Sequence, residues 1–274
     1  MIPEFIDIHA HVNFAVFNNE AEEIIKKTLD ENVWLINVGS QKATSWRAVF
    51  LAEKYPQGVY ASIGHHPIHS CSSSTDDEDE DEVNKSQEEN PNDFDIDYYR
   101  HLAKSKKVVS IGECGLDYFH LKNDEDKKEQ RKIFIEQLEL AQENKLPIML
   151  HIREAFDDAL AILKDFKGLK VNVHFFSGDW LIARTFLDLG HTLSFTGVIT
   201  FTSQYDEIIK NCPLDRIMSE TDCPYVSPEP YRNKRNEPLN VRLVAERIAY
   251  LRPEPKKEVL KALVDNAIRT FNFV

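Results

Sequence analysis

Two hundred and seventy-four residues, 42% hydrophobic and 10% aromatic, are enough to build a substantial core, which excludes wholesale disorder and the fibrous classes. The formal charge of −13 argues against a broad polyanion-binding surface, but it is unevenly spread. Between Cys71 and Asp97 twelve acidic residues stand against one lysine, so the remaining chain is close to neutral.

In chain order, short β-branched or aromatic runs alternate with longer amphipathic ones. Strands are predicted at Phe5 to His11, Val33 to Val38, Val59 to Gly64, Val108 to Gly112, Ile148 to Ile152, Val171 to Phe175, Thr192 to Val198 and Arg216 to Ser219. Helical patterns fall between them at Glu20 to Glu31, Ser45 to Tyr55, Asp126 to Asn144, Ala155 to Phe166 and Trp180 to Leu189. Leu239 to Leu251 and Pro255 to Phe271 follow the last strand. Eight such units predict an α/β fold of the (β/α)8 TIM-barrel type in one domain over residues 1–274. A doubly wound sheet would carry a glycine-rich phosphate fingerprint after its first strand, where this chain has His9-Ala10-His11.

The acidic stretch, about residues 71–94, has almost no apolar side chain before Phe94 and is expected to be a disordered insertion. It lacks the turn glycine and ligand spacing of a calcium loop. Elsewhere no uncharged apolar run approaches the roughly 18 residues of a membrane span. The first residues, Met1 to Glu4, form neither a basic lead nor an apolar signal core. Cys71, Cys114, Cys212 and Cys223 form no CxxC pair, which suits reduced thiols. These features predict a protein of the cytoplasm or nucleus that engages no membrane.

Active sites of such barrels lie at the carboxyl ends of the strands, and here nearly every strand ends in a polar residue. In Asp7-Ile8-His9-Ala10-His11 a side-chain period of two turns Asp7, His9 and His11 to one face. Alone, that pattern fits a hydrogen-bonded histidine pair as well as a metal clip. Glu113 follows the fourth strand between two glycines that permit a close approach. His151 and His174 end the fifth and sixth apolar runs, and Asp222 follows the eighth. Their convergence at one end of one barrel points to a two-metal hydrolase site of mixed nitrogen and oxygen ligands.

The motifs Asp7-Ile8-His9-Ala10-His11, Gly64-His65-His66-Pro67, Ile111-Gly112-Glu113-Cys114-Gly115-Leu116-Asp117-Tyr118, Leu150-His151-Ile152-Arg153, His174-Phe175-Phe176-Ser177-Gly178 and Glu220-Thr221-Asp222-Cys223-Pro224-Tyr225 resemble those of the TatD-like deoxyribonuclease family of metal-dependent hydrolase barrels. The segment Pro228 to Pro238 is similar to the family's closing motif, with Asn233 where glycine is common. The resemblance implies a metal-dependent nuclease holding two divalent ions (Mg, Mn or Zn). His9, His11, Glu113 and Asp222 would hold one ion, and Glu113, His151 and His174 the other.

On this reading Glu113 and Asp222 are the catalytic carboxylates, Asp222 as proton acceptor or as ligand. His66, Arg153, Arg232 and Arg235, with Lys234, are expected to bind substrate phosphates. Tyr118, Phe119, Phe176 and Tyr225 stand near the mouth, where they could stack on unpaired bases or simply pack. The expected substrate is DNA, cut as a 3′–5′ exonuclease on single-stranded or frayed ends, since a barrel mouth admits a terminus more easily than a duplex interior. A barrel of the same kind acting on an ester or amide carbonyl, such as a D-aminoacyl-tRNA deacylase, is the alternative. The insertion supplies no ligand, so excising Ser72 through Pro91 should leave metal content and thermal stability unchanged. Its charge should hinder DNA, so the Michaelis constant for an oligonucleotide should fall on excision at low salt and less at high salt. Equal constants at both ionic strengths would rule out such gating.

Overall fold

The computed structural model describes residues 2–70, 94–119, 121 and 123–273. All but Phe94 of the acidic insertion lies outside these residues. Eight parallel strands follow one another in sequence order: β1 (Phe5–Ala10), β2 (Val33–Val38), β3 (Val59–Ile63), β4 (Val108–Asp117), β5 (Ile148–Arg153), β6 (Val171–Val173), β7 (Thr192–Phe195) and β8 (Ile217–Ser219). The seam between β8 and β1 is joined just beyond β8. The Asp222 amide donates to the His9 carbonyl at 2.8 Å, and the His11 amide to the Cys223 carbonyl at 2.8 Å. The predicted (β/α)8 barrel is therefore the fold.

The helices α1 (Ala21–Asp30), α2 (Lys42–Glu53), α3 (Ile96–Leu102), α4 (Asp124–Asn144), α5 (Phe156–Leu163), α6 (Trp180–Asp188), α7 (Asp206–Asn211), α8 (Val241–Leu251) and α9 (Lys256–Phe271) surround the strands. The period of two sorts each strand. On β2, Val33 and Leu35 face the helices, while Trp34, Ile36 and Val38 join Ile6, Ile8, Tyr60, Val109, Met149 and Met218 inside. Phe271 and Phe273 belong to the inner cluster, Phe273 stacking on Tyr60 at 4.5 Å. Residues from the end of α9 thus plug the base of the barrel, and chemistry is left to the other end.

β4 runs five residues past the predicted Gly112 end. Its glycines are needed by the neighbouring strand: a Cβ on Gly112 would sit 2.3 Å from the Met149 carbonyl oxygen, and one on Gly115 only 2.0 Å from that of His151. Gly115 also has φ +145°, a region closed to other residues. Gly115→Ala is therefore expected to destabilise the fold by about 3 kcal/mol or more, read as a lowered Tm. An unchanged Tm would contradict this packing.

Candidate metal centre

His9 in β1, Glu113 in β4 and His151 in β5 meet at the mouth with His11, His174 and Asp222, which follow β1, β6 and β8. A register shift in β1 between Asp7 and Ala10 separates Asp7 from the two histidines, contrary to the shared face expected from the period of two. The Asp7 carboxylate instead closes the barrel seam, accepting from the Thr221 amide at 2.9 Å and the Thr221 hydroxyl at 2.5 Å. Burial pushes its pKa well above the usual carboxylate range.

His9 Nε2 and His11 Nε2 lie 3.0 Å apart. Glu113 divides its two oxygens between two groups of imidazoles. Oε2 lies 3.3 Å from His9 Nε2 and 3.8 Å from His11 Nε2. Oε1 lies 2.8 Å from His151 Nδ1 and 3.4 Å from both His174 Nε2 and His66 Nε2. Asp222 Oδ1 completes the first group, 3.4 Å from His11 Nε2 and 3.7 Å from His9 Nε2. His66, expected at substrate, thus stands beside the second group. Two sets of metal-compatible donors, His9/His11/Glu113 and His66/Glu113/His151, share the one carboxylate. A third, His9/His174/Glu220, lies alongside.

The electrostatics of the pocket call for a cation. Glu113 is almost fully buried, which alone would raise its pKa, yet His66, then His174, His9 and His151, hold it well below the usual range. Burial dominates at His9 and, with His174 stacked on it at 3.6 Å, brings it down to about 3. Burial also opposes charge on His174 and His151. Glu220 and Glu113 nevertheless lift His174 to about 10, while Asp117 and Glu113 lift His151 to about 9. His11 is raised by Asp222 and Glu113 against its burial. Ionised carboxylates facing imidazoles across 3–4 Å draw positive charge into the gap between them, and a divalent ion supplies it while displacing protons. The donor set of imidazole and carboxylate fits Mg, Mn or Zn.

At the rim, the Arg153 guanidinium lies 3.8 Å over the Phe119 ring and that of Arg232 3.6 Å over Phe201. Arg235 turns to Glu20 in a two-pronged pair at 2.9 and 2.7 Å. Lys234 sits 5.7 Å from the Tyr231 ring centre. Of the aromatics expected near the mouth, Phe119 and Tyr225 are exposed, Phe176 is buried in the core, and the Tyr118 hydroxyl donates to Asp158 at 2.7 Å. Asp117 and Glu220, which the strand-end pattern does not single out, stand behind His151 and His174 at 3.3 and 3.1 Å. The available signal was two further acidic residues in the Glu113 and Asp222 motifs themselves.

The family described as TatD related DNase matches residues 6–272. An uncharacterized metal-dependent hydrolase of Bacillus subtilis, YabD, is 36% identical over 270 residues, covering 97% of this chain and 98% of the relative. A mouse protein provisionally named as a deoxyribonuclease, TATDN3, is 29% identical over 97% of this chain and 87% of its own length. Among solved structures, the Escherichia coli TatD homologue YjjV superposes with a TM-score of 0.83 at 29% identity, covering 100% of both chains.

Proposed function

The chain belongs to the TatD-related DNase family of metal-dependent hydrolases, and from that premise we propose that it hydrolyses DNA phosphodiester bonds, trimming single-stranded or frayed 3′ ends. The observation that supports this reading is the divided Glu113 carboxylate, one oxygen toward His9 and His11 and the other toward His151 and His174. Two divalent ions, one held by His9, His11, Asp222 and Glu113 and one by Glu113, His151 and His174, would activate water and neutralise charge on the scissile phosphate.

The chain's own groups do the rest. Asp222 turns Oδ1 to the first two histidines, leaving Oδ2 to orient the attacking water and take its proton. His66 stands at the mouth beside Glu113 and can donate to a phosphate oxygen. Arg153 and Arg232, each laid on an exposed aromatic ring, present charge for flanking phosphates and a face for unpaired bases.

Changing Arg153 and Arg232 together to alanine should weaken single-strand binding and lower the slope of log affinity against log salt by about 1.4, at roughly 0.7 per lost contact. Arg235→Ala should have less effect, because Glu20 already balances that charge. An unchanged slope in the double variant would return both arginines to rim packing.

The activity is tested by stripping the protein of metal, restoring Mg²⁺, Mn²⁺ or Zn²⁺ separately, and offering a 5′-labelled single-stranded oligonucleotide beside an acylated tRNA. A 3′-shortened ladder is expected. Deacylation without DNA cleavage would select the carbonyl-hydrolase alternative, and turnover of neither would overturn the assignment.

A further inference from the structure

Two buried carboxylates outside the proposed ligand set stand behind His174 and His151, two of the three histidines that face Glu113 Oε1. We propose that Glu220 and Asp117 are positioning residues that fix which nitrogen each imidazole turns to the centre. The inference rests on the two-ion reading above.

Glu220 is fully buried. Its Oε1 accepts from the Phe175 amide at 2.7 Å and lies 3.1 Å from His174 Nδ1. Its Oε2 accepts from the Ser194 hydroxyl at 2.8 Å, which in turn accepts from Asn172 Nδ2 at 2.8 Å. Phe175 has φ 42°, a left-handed conformation that costs a non-glycine residue about 1–3 kcal/mol and persists only where its surroundings enforce it. Glu220 therefore grips His174 twice, through the next peptide and through the ring. The ring contact is close but off the line of a hydrogen bond, so charge and the Phe175 peptide do the steering.

Asp117 is equally buried. Its Oδ2 lies 3.3 Å from His151 Nε2, and its Oδ1 accepts from the Phe119 amide at 3.0 Å. The Asp117 amide donates to Gln130 Oε1 at 2.9 Å, and Gln130 Nε2 returns to the Asp117 carbonyl at 3.0 Å.

The two histidines consequently present opposite atoms to the same oxygen, His174 its Nε2 and His151 its Nδ1. A carboxylate behind one ring nitrogen holds the proton there and leaves the lone pair of the other for an ion. Glu113 cannot set both orientations, because it lies on the side where the lone pairs are needed.

The test titrates MnCl2 into metal-stripped full-length protein by calorimetry, for the wild type, Glu220→Gln, Asp117→Asn and Ser194→Ala. The amides keep the shape and still accept from Phe175 or Phe119, but they lose the charge and turn an NH2 toward Ser194 or His151 where a carboxylate oxygen stood. Each is expected to weaken one of two Mn²⁺ sites about 10–100-fold and leave the other unchanged. Ser194→Ala, which loosens Glu220 without touching its charge, should cost about fivefold at the same site. Nitrogen-15 spectra of the Zn²⁺-loaded protein should show the His174 Nδ1 proton exchanging faster with solvent in Glu220→Gln than in the wild type. Wild-type affinity at both sites in the two amide variants, or equal loss at both, would overturn the inference while the two-ion reading stood. A wild type that binds fewer than two Mn²⁺ would overturn both.

Discussion

Glu113→Gln should lower turnover by about a thousandfold or more while the barrel stays folded. The carboxylate touches both donor groups, Oε2 on the His9/His11 side and Oε1 on the His151/His174 side. An amide of the same shape offers one oxygen and one NH2, so it can serve only one group and presents a donor to the other. Each ion also loses a negative ligand, and losing several kcal/mol of charge stabilisation in the transition state amounts to about three decades in rate. Metal content should fall with activity, whereas circular dichroism should not change. Wild-type kinetics with full metal content in this variant would show that Glu113 is not the shared ligand.

Asp222→Asn should reduce kcat by about 10²–10⁴-fold, the range for loss of a positioned proton acceptor, with a smaller change in KM. Asp222 has φ 58°, a left-handed conformation that aspartate and asparagine both tolerate, so the backbone that carries it after β8 survives the exchange. The asparagine oxygen can still face His11 as Oδ1 does at 3.4 Å. If kcat fell only in proportion to lost metal, and excess metal restored it, Asp222 would be a ligand and the proton would go elsewhere.

The barrel was legible because its strands and long helices carry clean periods of 2 and 3.6, and because strand-end histidines occupy the place of a phosphate loop. What escaped was set by contacts between distant segments. β4 reads as ending at Gly112 because glycine ordinarily breaks a strand, and only the closeness of the β5 backbone makes glycine the strand-compatible residue there. The short helices α3 and α7 have seven and six residues, too few turns for a period to emerge, and α3 follows directly on the acidic stretch. Asp7 left the shared face because of the β1 register shift, which a strict period of two cannot contain.

At the site, sequence identified the residue types at each strand end but not how Glu113 divides its oxygens among them. It also could not couple Arg235 to Glu20, which lies 215 positions away. One departure from the family pattern finds its reason in the backbone: Asn233 has φ 63°, and asparagine is among the few residues besides glycine that sit there readily.

On the two-ion reading, one carboxylate joins two ion sites at the mouth of the barrel. Anomalous diffraction from a crystal of the protein soaked in MnCl2 addresses it directly. Two peaks are expected, one among His9, His11, Asp222 and Glu113 Oε2, the other among Glu113 Oε1, His151 and His174. A single peak, or two peaks that do not both contact Glu113, would contradict it.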